Sequence, residues 1–492
     1  MENDQIQNVL KLLDKKQFEK ATNIINKLIQ DNPTNNNYKN ILALIYLNQN
    51  KIQESIQILE DIIKIQPTFK NAYTNLFTIL DKKFTFFQSL HIYNQLVKNH
   101  PNNLKILNNF SDNLLKENKF SEAIKILNKI IIIEPNNSKY FYNLGCAYNA
   151  LGKLKLASTF FDKALKLNPQ HINSKYNLSL NQLASLDFEK GWKNFELRKE
   201  VLKINEDILG IPKKHIWDGK NFNTPLVIHA EQGIGDEVLI SSLFNELVKK
   251  NDNILISCDH RLLNLFKRSF PKIDFFDRNN LYKVSKEYKH IFGFSLCQYL
   301  RPNIKSFKLN SHKWLFTNLK IDKKINSYFD KNSKIKIGVS WKSIGNYYQK
   351  RNISLLQLSE IFPKDKFEII NLQYGDIEQD KILLEREQKR KLLNFDNIDY
   401  KNNIDELSSL IINCDLVVSI GGFTAGLSGA LGVPTWALIP NVVEWIWINE
   451  SDKNNSIWFP TVTIFKQKSI GNWDYVFDLL RSEVMYKFKD IL

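Results

Sequence analysis

Two glycine-rich turns carry the residues of this chain that are best suited to chemistry. The first, QGIGDE, spans residues 232–237 and places Asp236 at the start of an amphipathic helix. The second, SIGGFTAGLSGALG, spans residues 419–432 and leads from an apolar segment into another helix. A carboxylate such as Asp236 can accept a proton from a hydroxyl group within its reach. Exposed N–H groups at a glycine-flanked helix start can bind phosphate oxygens, so together the turns predict a base and an anion site.

Each assignment has a structural alternative. Asp236 could serve only to cap its own helix. Gly426 and Gly429, in the second turn, could serve only to let a helix pack closely on a sheet. His229 precedes the first turn in the segment VIH and is a second possible base, although a His inside a strand is more often structural.

Further polar residues lie at the ends of the predicted strands. Gln232 follows the first predicted strand and could contact a base or a ribose, although turn formation explains it equally well. Gly233 and Gly235, which come after it, would let a ligand approach the backbone closely. Gln373 and Tyr374 end and follow the segment FEIINLQ and could contact a base or a ribose, although turn formation explains them equally well. Neither turn matches the GxxxxGK[ST] phosphate loop, and the first lacks the GxGxxG dinucleotide fingerprint. This disfavours an ATPase or a nicotinamide dehydrogenase.

After residue 200 the sequence alternates between apolar strands and amphipathic helices. One series begins with residues 226–250, and a second begins after a polar connection near Lys331 to Lys334. The strand segments of the second series are 336–341, 367–373, 414–422, 435–440 and 461–465. Two such sets, hinged near residue 333, predict two Rossmann-like lobes that face each other across a cleft. Because open parallel sheets bind ligands at the carboxyl ends of their strands, both glycine turns should border this cleft.

Residues 1–200 have a different pattern, with a period of 34 residues. Prolines recur at this interval, and each closes a pair of short amphipathic segments: Pro33, Pro67, Pro101, Pro135 and Pro169. Small residues such as Gly145, Ala157 and Ala164 stand where two helices must approach closely. The pattern resembles the tetratricopeptide repeat, whose stacked helical pairs form a superhelix with a concave surface suited to an extended peptide. A degenerate sixth unit, Leu178 to Arg198, is expected to cap the stack.

The composition narrows the class of protein. The 492 residues are 43% hydrophobic with only 17 Gly and 13 Pro, which predicts a folded chain of several domains. The net charge of +16 is spread evenly, with 27 Lys and Arg against 18 Asp and Glu in residues 1–200 and 41 against 34 beyond. We therefore expect no nucleic-acid binding. The four cysteines form no CxxC pair, so neither a zinc site nor a disulfide framework is indicated.

The sequence also bears on location. No apolar run approaches the length of a transmembrane segment. The first residues, MENDQIQNVLKLLDKK, lack the features of a signal peptide. We therefore expect a cytoplasmic protein.

Several ordered blocks resemble bacterial proteins that join tetratricopeptide repeats to a GT-B glycosyltransferase domain. These blocks include AEQGIGDEVLISSLFNEL, GVSWKS, NLQYGD and LSGALGVPTWALIP. The domain is similar to the heptosyltransferases of glycosyltransferase family 9 and, more distantly, to the O-linked N-acetylglucosamine transferases. The resemblance implies a fold of class α + α/β, a tetratricopeptide solenoid followed by a two-lobed Rossmann-like GT-B domain. It also implies that a last helix, within Asn472 to Lys489, crosses back to the first lobe.

The same resemblance assigns roles to residues. It makes Asp236 the general base on the acceptor side, and Lys342 and Arg351 the basic residues near the donor diphosphate. The donor phosphate site then falls at the turn formed by Ser419, Gly421, Gly422, Phe423 and Thr424. Relatives often read DTxxxH there, whereas this chain has Gly421, Gly422 and Gly426 in those places.

Together these features predict a glycosyltransferase that needs neither a metal nor a cofactor. It would transfer a sugar from a nucleotide-sugar donor to a hydroxyl group of a protein or peptide that the repeats recruit. The predicted domains are the repeats (1–200), a linker (201–223), the acceptor-side lobe (224–332) and the donor-side lobe (333–492). The lost DTxxxH side chains favour an alternative, an interaction scaffold with an inactive transferase domain, and a lipid-linked or surface glycan is a further possible acceptor.

Overall fold

The computed structural model describes residues 2–203, 211, 213–220, 224–283, 288–309, 312–329, 334–343, 351–442, 444–450 and 454–491. These residues form two compact units, one made of Met1–Tyr148 with Lys163–Pro169 and the other of Asn149–Asp162 with Gln170–Leu492. Much of the predicted linker at 201–223 and the predicted hinge near residue 333 lie outside the described residues. The predicted domain limits therefore remain predictions.

The repeats consist of consecutive helices joined by short turns. Their bounds are α1 (Glu2–Asp14), α2 (Phe18–Asp31), α3 (Asn36–Asn48), α4 (Ile52–Ile65), α5 (Lys70–Lys83), α6 (Phe86–Asn99), α7 (Leu104–Lys116), α8 (Phe120–Ile133), α9 (Ser138–Ala150), α10 (Leu154–Leu167), α11 (Ile172–Ala184) and α12 (Phe188–Phe195). Each of the five periodic prolines stands two residues after the end of an even-numbered helix, α2 to α10. A proline has no N–H to continue the helix and restricts the residue before it, so the prolines end the helical pairs as predicted.

A left-handed backbone conformation recurs with the same period, in the turn between the two helices of a pair. The turn between the two helices contains a left-handed residue at Lys16 (φ 57°), Asn50 (φ 61°), Asn118 (φ 59°) and Gly152 (φ 71°). Only glycine adopts this conformation without steric cost, yet most of these positions hold larger residues. The third pair differs, because Phe84 has an extended backbone and Thr85 begins α6 with a capping box.

The first lobe is built on a parallel sheet of strand order β3-β2-β1-β4. Its strands are β1 (Leu226–His229), β2 (Ile254–Cys258), β3 (Asp274–Asp277) and β4 (Lys289–Phe292). The helices of this part are α13 (Arg198–Val201), α14 (Ile234–Ile240), α15 (Phe244–Val248), α16 (Leu263–Ser269), α17 (Cys297–Leu300) and α18 (Leu319–Asn326). Strand β1 pairs with β2 through Val227 and Leu255, and with β4 through Val227 and His290.

The second lobe contains a parallel sheet of order β6-β5-β7-β8-β9. Its strands are β5 (Ile335–Ser340), β6 (Phe367–Asn371), β7 (Leu416–Ile420), β8 (Thr435–Ile439) and β9 (Val462–Lys466), and its helices are α19 (Leu355–Glu360), α20 (Glu378–Gln388), α21 (Ile404–Ile412), α22 (Phe423–Ala430) and α23 (Asp474–Lys487). All five strands fall within the segments predicted from the sequence or overlap them. The predicted fold class, helical repeats followed by a two-lobed α/β domain, is confirmed.

Two features of the second unit differ from the sequence prediction. The degenerate repeat does more than cap the stack, because Phe188, Trp192 and Phe195 of α12 are buried in the same apolar core as the strands of the first lobe. The last helix, α23, was expected to cross back to the first lobe. Its buried side chains instead belong to a core with Trp436 and Phe465 of the second sheet. The apolar face of α23 is thus buried against the second sheet, to which the preceding strand, β9, belongs.

Candidate active site

The structure brings the two glycine turns together. Each turn follows a central strand, β1 or β7, and each leads directly into a helix, α14 or α22, whose residues contact one another. A side-chain carbon added at Gly235 would lie 3.7 Å from the Cα of Phe423. The backbone of the first turn therefore contacts the start of α22. A bulky side chain at position 235 would push the lobes apart.

Asp236 lies at the third position of α14 and is partly exposed. Its Oδ2 accepts a hydrogen bond of 2.9 Å from the N–H of Gly233, so the helix-capping role considered from the sequence is present. Burial raises the pKa of Asp236 to about 6, and the nearby charge of Glu231 acts in the same direction. A carboxyl group with this pKa is mostly ionised at pH 7 and still basic enough to accept a proton, so capping and base chemistry are compatible.

The second turn presents backbone rather than side chains. Gly422 is exposed and Phe423 is partly exposed, whereas Gly421 and Thr424 are buried. Ser419 lies inside the sheet, and its hydroxyl donates to the carbonyl oxygen of Ile420 at 2.8 Å. The side chains of Ser419 and Thr424 are both buried, so the predicted donor site at this turn would depend on its backbone. An anion at this turn would meet the N–H groups at the start of α22.

The glycines of the second turn are not equivalent. A side-chain carbon at Gly421 would lie 2.5 Å from a methyl group of Ile439 and 2.9 Å from the indole nitrogen of Trp447. At Gly422 the nearest atom would be 3.9 Å away, and at Gly426 it would be a ring carbon of Phe459 at 3.4 Å. Thus the space beside Gly421 is filled by neighbouring side chains, whereas the space beside Gly422 is open.

The two predicted basic residues lie at the same edge of the second sheet, each beside an acid. Lys342 follows β5, and its ammonium group contacts Asp380 of α20 at 2.7 Å. Arg351 contacts Glu444, which follows β8, at 2.6 Å. Burial raises the pKa of Glu444 to about 7, although Arg351 opposes this shift. Lys342 and the acidic partner of Arg351 therefore follow β5 and β8, the two strands next to β7, which leads into the second glycine turn.

Gln373 and Tyr374 have different environments. The side-chain oxygen of Gln373 accepts hydrogen bonds from Ser340 and from the N–H groups of Trp341 and Lys342 at 3.0 to 3.1 Å. This buried amide holds the end of β5 in place and leaves its oxygen little capacity for a ligand. Tyr374 lines a pocket of about 280 Å³ beside β6, together with Asn394 and other residues up to Lys401.

His229 is enclosed beside a second histidine. It is buried, and its ring lies parallel to that of His290, with Nε2 of His229 2.9 Å from Nδ1 of His290. Burial and the neighbouring imidazole lower the pKa of His229 to about 3, so the ring is neutral at pH 7. The structural interpretation of this residue fits these contacts better than the catalytic one.

Sequence reasoning missed a set of charged residues around the first turn. Asp259, which follows β2, accepts from Nε of Arg261 at 2.8 Å and from Nη2 of Arg278 at 3.1 Å. Arg278 also donates to Glu237 at 3.0 Å and to the carbonyl oxygen of Gln232 at 3.2 Å. The sequence block CDHRL contains Asp259 and Arg261, but their meeting with Arg278 depends on the pairing of β2 with β3.

A periodic signal in the repeats was also missed. Asparagines recur every 34 residues at Asn75, Asn109, Asn143 and Asn177, which lie on α5, α7, α9 and α11. Asn75 donates to Asn40 at 2.9 Å, and Asn109 shares a network with Tyr93 and Asn113. Each amide supplies both donor and acceptor groups at the same place in successive helical pairs. The period of the prolines would have revealed this set.

Within the described ranges, no three His, Cys, Asp or Glu side chains are grouped as metal ligands would be. In the same residues no helix is both long enough and apolar enough to cross a membrane.

Comparisons with known proteins agree with the repeat assignment. The model of the tetratricopeptide repeat matches residues 138–171, and that of the Psidin N-terminal tetratricopeptide-repeat region matches residues 3–121. The chain therefore carries tetratricopeptide repeats. Protein FlbA of Caulobacter vibrioides is 26% identical over 310 residues, covering 58% of this chain and 50% of FlbA. The chain thus spans about half the length of this curated relative.

Two solved structures are similar to parts of this chain. A glycosyltransferase of family 9 from Veillonella parvula is 11% identical with a TM-score of 0.42, covering 55% of this chain and 98% of that one. YrrB, a tetratricopeptide-repeat protein described as having an unusual peptide-binding site, is 19% identical with a TM-score of 0.24, covering 35% of this chain and 88% of YrrB.

Proposed function

We propose that this protein is a glycosyltransferase that transfers a sugar from a nucleotide-sugar donor to a hydroxyl group of a protein or peptide acceptor. The observation that carries this proposal is the contact between the first glycine turn, with Asp236 next to Gly235, and the start of α22. A carboxylate and a row of helix-terminal N–H groups would thereby border one site. This is the pair of functions that sugar transfer from a nucleoside diphosphate requires.

In the proposed reaction the acceptor oxygen attacks the anomeric carbon while the bond from that carbon to the diphosphate oxygen breaks. Asp236 takes the proton of the acceptor hydroxyl. The electron pair of the breaking bond leaves with the diphosphate, whose added charge is stabilised by the N–H groups of Gly422, Phe423 and Thr424. Lys342, which follows β5, and Arg351, whose partner Glu444 follows β8, would supply positive charge. Their acidic partners keep the two side chains oriented.

The repeats support a polypeptide acceptor. The partly exposed asparagines at positions 75 and 109 place one amide on each of two successive helical pairs, and a peptide backbone presents matching N–H and C=O groups at regular intervals. A pocket of about 460 Å³ is lined by Asn109 together with Tyr73, Phe77, Lys105 and Asp112. Such a surface offers apolar, polar and charged contacts to an extended chain.

The experiment that tests the proposal measures both binding and turnover. Thermal unfolding is recorded against a panel of nucleotide sugars and nucleoside diphosphates, and transfer is then measured with the stabilising donor. We expect the Asp236→Asn variant to bind that donor as the wild type does and to lose transfer by at least about 100-fold, the scale of general base catalysis. Full turnover in the variant would contradict the role of Asp236.

One observation favours a second function, an interaction scaffold with an inactive transferase domain. The side chains of Ile439 and Trp447 occupy the space that an acidic side chain at position 421 would need. The donor turn therefore cannot regain that group without rearrangement. If none of the nucleotides raises the unfolding temperature, the scaffold is supported and the transferase is not.

A further inference from the structure

We propose that Arg198, on the short helix α13 that follows the degenerate repeat, is a positioning residue for the turn that carries Asp236. Arg198 acts through Glu231, the residue that begins this turn. The inference rests on the proposed role of Asp236 as the base. It assigns to the helical segment after the repeats a part in the active site, beyond its part in the core.

The contacts of Arg198 are those of a fully buried ion pair. Its side chain is 0% exposed, and Nε and Nη2 donate to the two carboxylate oxygens of Glu231, each at 2.8 Å. Nη2 also donates to the hydroxyl of Ser295 at 2.9 Å, and Nη1 donates to Glu196 at 2.8 Å. A bidentate arrangement of this kind fixes both distance and angle, so the carboxylate of Glu231 is held in one orientation.

Glu231 in turn fixes the beginning of the first turn. Its Oε1 also accepts from the N–H of Phe294 at 2.7 Å, which ties the turn to the end of β4. The next residue, Gln232, has a left-handed backbone with φ of 61°. A non-glycine residue keeps this conformation only when its surroundings impose it. The anchored Glu231 on one side and the bond from Arg278 to the carbonyl of Gln232 on the other provide that constraint.

The pair also controls the charge that Asp236 experiences. Glu231 is near enough to raise the pKa of Asp236, after the larger effect of burial. Arg198 neutralises Glu231 and so limits this effect. Tyr176 of α11 lies within electrostatic range of Arg198, Asp236 and Glu231, which shows that the helical segment borders the site. The other titratable or charged groups around the turn are Glu237, Arg278, Asp259, Glu196, His229 and His290, and α22 contributes none.

The two halves of the pair should therefore shift the pH dependence of transfer in opposite directions. In Arg198→Met, the unbalanced charge of Glu231 raises the pKa of Asp236, and the acid limb of the rate profile moves to higher pH by about one unit. In Glu231→Gln, the limb moves to lower pH by a similar amount. A purely structural loss would lower the rate in both variants without opposite shifts. The proposal would be overturned if the acid limb of the pH–rate profile stayed in place in the two variants, or moved in the same direction in both.

The double variant Arg198→Met with Glu231→Gln guards against misfolding, because it leaves no unpaired buried charge. We expect its acid limb to lie near that of the wild type, its KM for the donor to be unchanged and its kcat to fall about tenfold, since the turn has lost its anchor. A wild-type kcat in this variant would contradict positioning by the pair.

A readout that needs no turnover separates this inference from the proposed function. Infrared titration of the Asp236 carboxyl band is measured in each variant as the difference from the same variant carrying Asp236→Asn. If the wild type transfers no sugar, the proposed function fails, but opposite shifts of this band would still support control of Asp236 by the pair. An unchanged band in both single variants would contradict it.

Discussion

At the scale of single residues, the site depends on how a few polar groups are buried. Asp236 combines a capping bond to Gly233 with a pKa raised to about 6 by burial. His229, the other possible base, is neutral because burial and His290 lower its pKa to about 3. The sequence offered both groups as possible bases, and their surroundings give them different pKa values. Only the carboxyl group has a pKa close to the pH at which a general base is useful.

The raised pKa of Asp236 predicts a pH-dependent cost to stability. The folded protein holds the proton of Asp236 up to about pH 6, whereas the unfolded chain releases it near pH 4. The unfolded state therefore binds fewer protons in this window, and stability falls as the pH rises through it. We expect Asp236→Asn to raise the free energy of unfolding at pH 7.5 by up to about 3 kcal/mol, with the gain disappearing below about pH 4.

Denaturant unfolding at pH 4 and pH 7.5 measures this difference. Asp478→Asn is a suitable control, because the Asp478 side chain is 73% exposed in a surface ion pair and its replacement should change stability by less than about 0.5 kcal/mol. An Asp236→Asn variant that is no more stable than the wild type at pH 7.5 would show that burial of the carboxyl is not costly.

At the scale of elements, the start of α22 determines what the donor turn can do. Gly421 is enclosed by Ile439 and Trp447, whereas Gly422, with φ of −179°, is exposed and has no neighbour within 3.9 Å of an added carbon. The turn can therefore offer N–H groups to an anion but has no room for a side chain at its first glycine. Backbone binding of a diphosphate is compatible with this geometry.

This difference predicts unequal effects of one methyl group. Gly421→Ala forces the new carbon against Ile439 and Trp447 and should destabilise the protein by about 1–3 kcal/mol, as overpacking does. Gly422→Ala is the matched control, since extended backbone suits any residue and the space is open, and it should change stability by less than about 0.5 kcal/mol. Equal unfolding temperatures for the two variants would contradict the crowding at Gly421.

At the scale of the whole molecule, one chain contains both a repeat surface and a two-lobed α/β domain. Helical repeats present amides at a fixed interval, and the two lobes meet at their glycine turns. The lobes are further joined by Arg261, which donates to the carbonyl oxygen of Lys401 at 3.2 Å. Recognition of an extended polymer and chemistry on a nucleotide sugar make separate demands, and in the proposed function each is met by a different part of the chain.

This division predicts that changes in the repeats affect only the acceptor. Replacing Asn75, Asn109 and Asn143 together by Ala removes two partly exposed amide groups that would bind a peptide backbone, together with the buried amide of Asn143. We expect the KM for a protein acceptor to rise about tenfold, given the modest net strength of each hydrogen bond, while hydrolysis of the donor is unchanged. Gln57→Ala, at an exposed site on α4, is the control. An unchanged acceptor KM in the triple variant would argue against binding at these residues.

The sequence alone determined the architecture because its signals are local and repeated. Prolines at an interval of 34 residues end helices for steric reasons, and apolar segments alternating with helices form parallel sheets. The same alternation of strands and helices indicated both glycine turns, because each turn joins a predicted strand to the helix that follows it directly in the sequence. Asp236 was found in this way, whereas Lys342 and Arg351 were indicated by the resemblance to glycosyltransferases.

Only the tertiary structure decided which polar groups face solvent and which are enclosed. Ser419 and Gln373 are used inside the second lobe, His229 is stacked on a histidine that lies far from it in sequence, and α23 packs on the second sheet. The contact of Arg198 with Glu231 joins residues from a degenerate repeat and a strand end. Such outcomes depend on long-range pairing and on the cost of burying charge, and neither leaves a pattern in neighbouring residues.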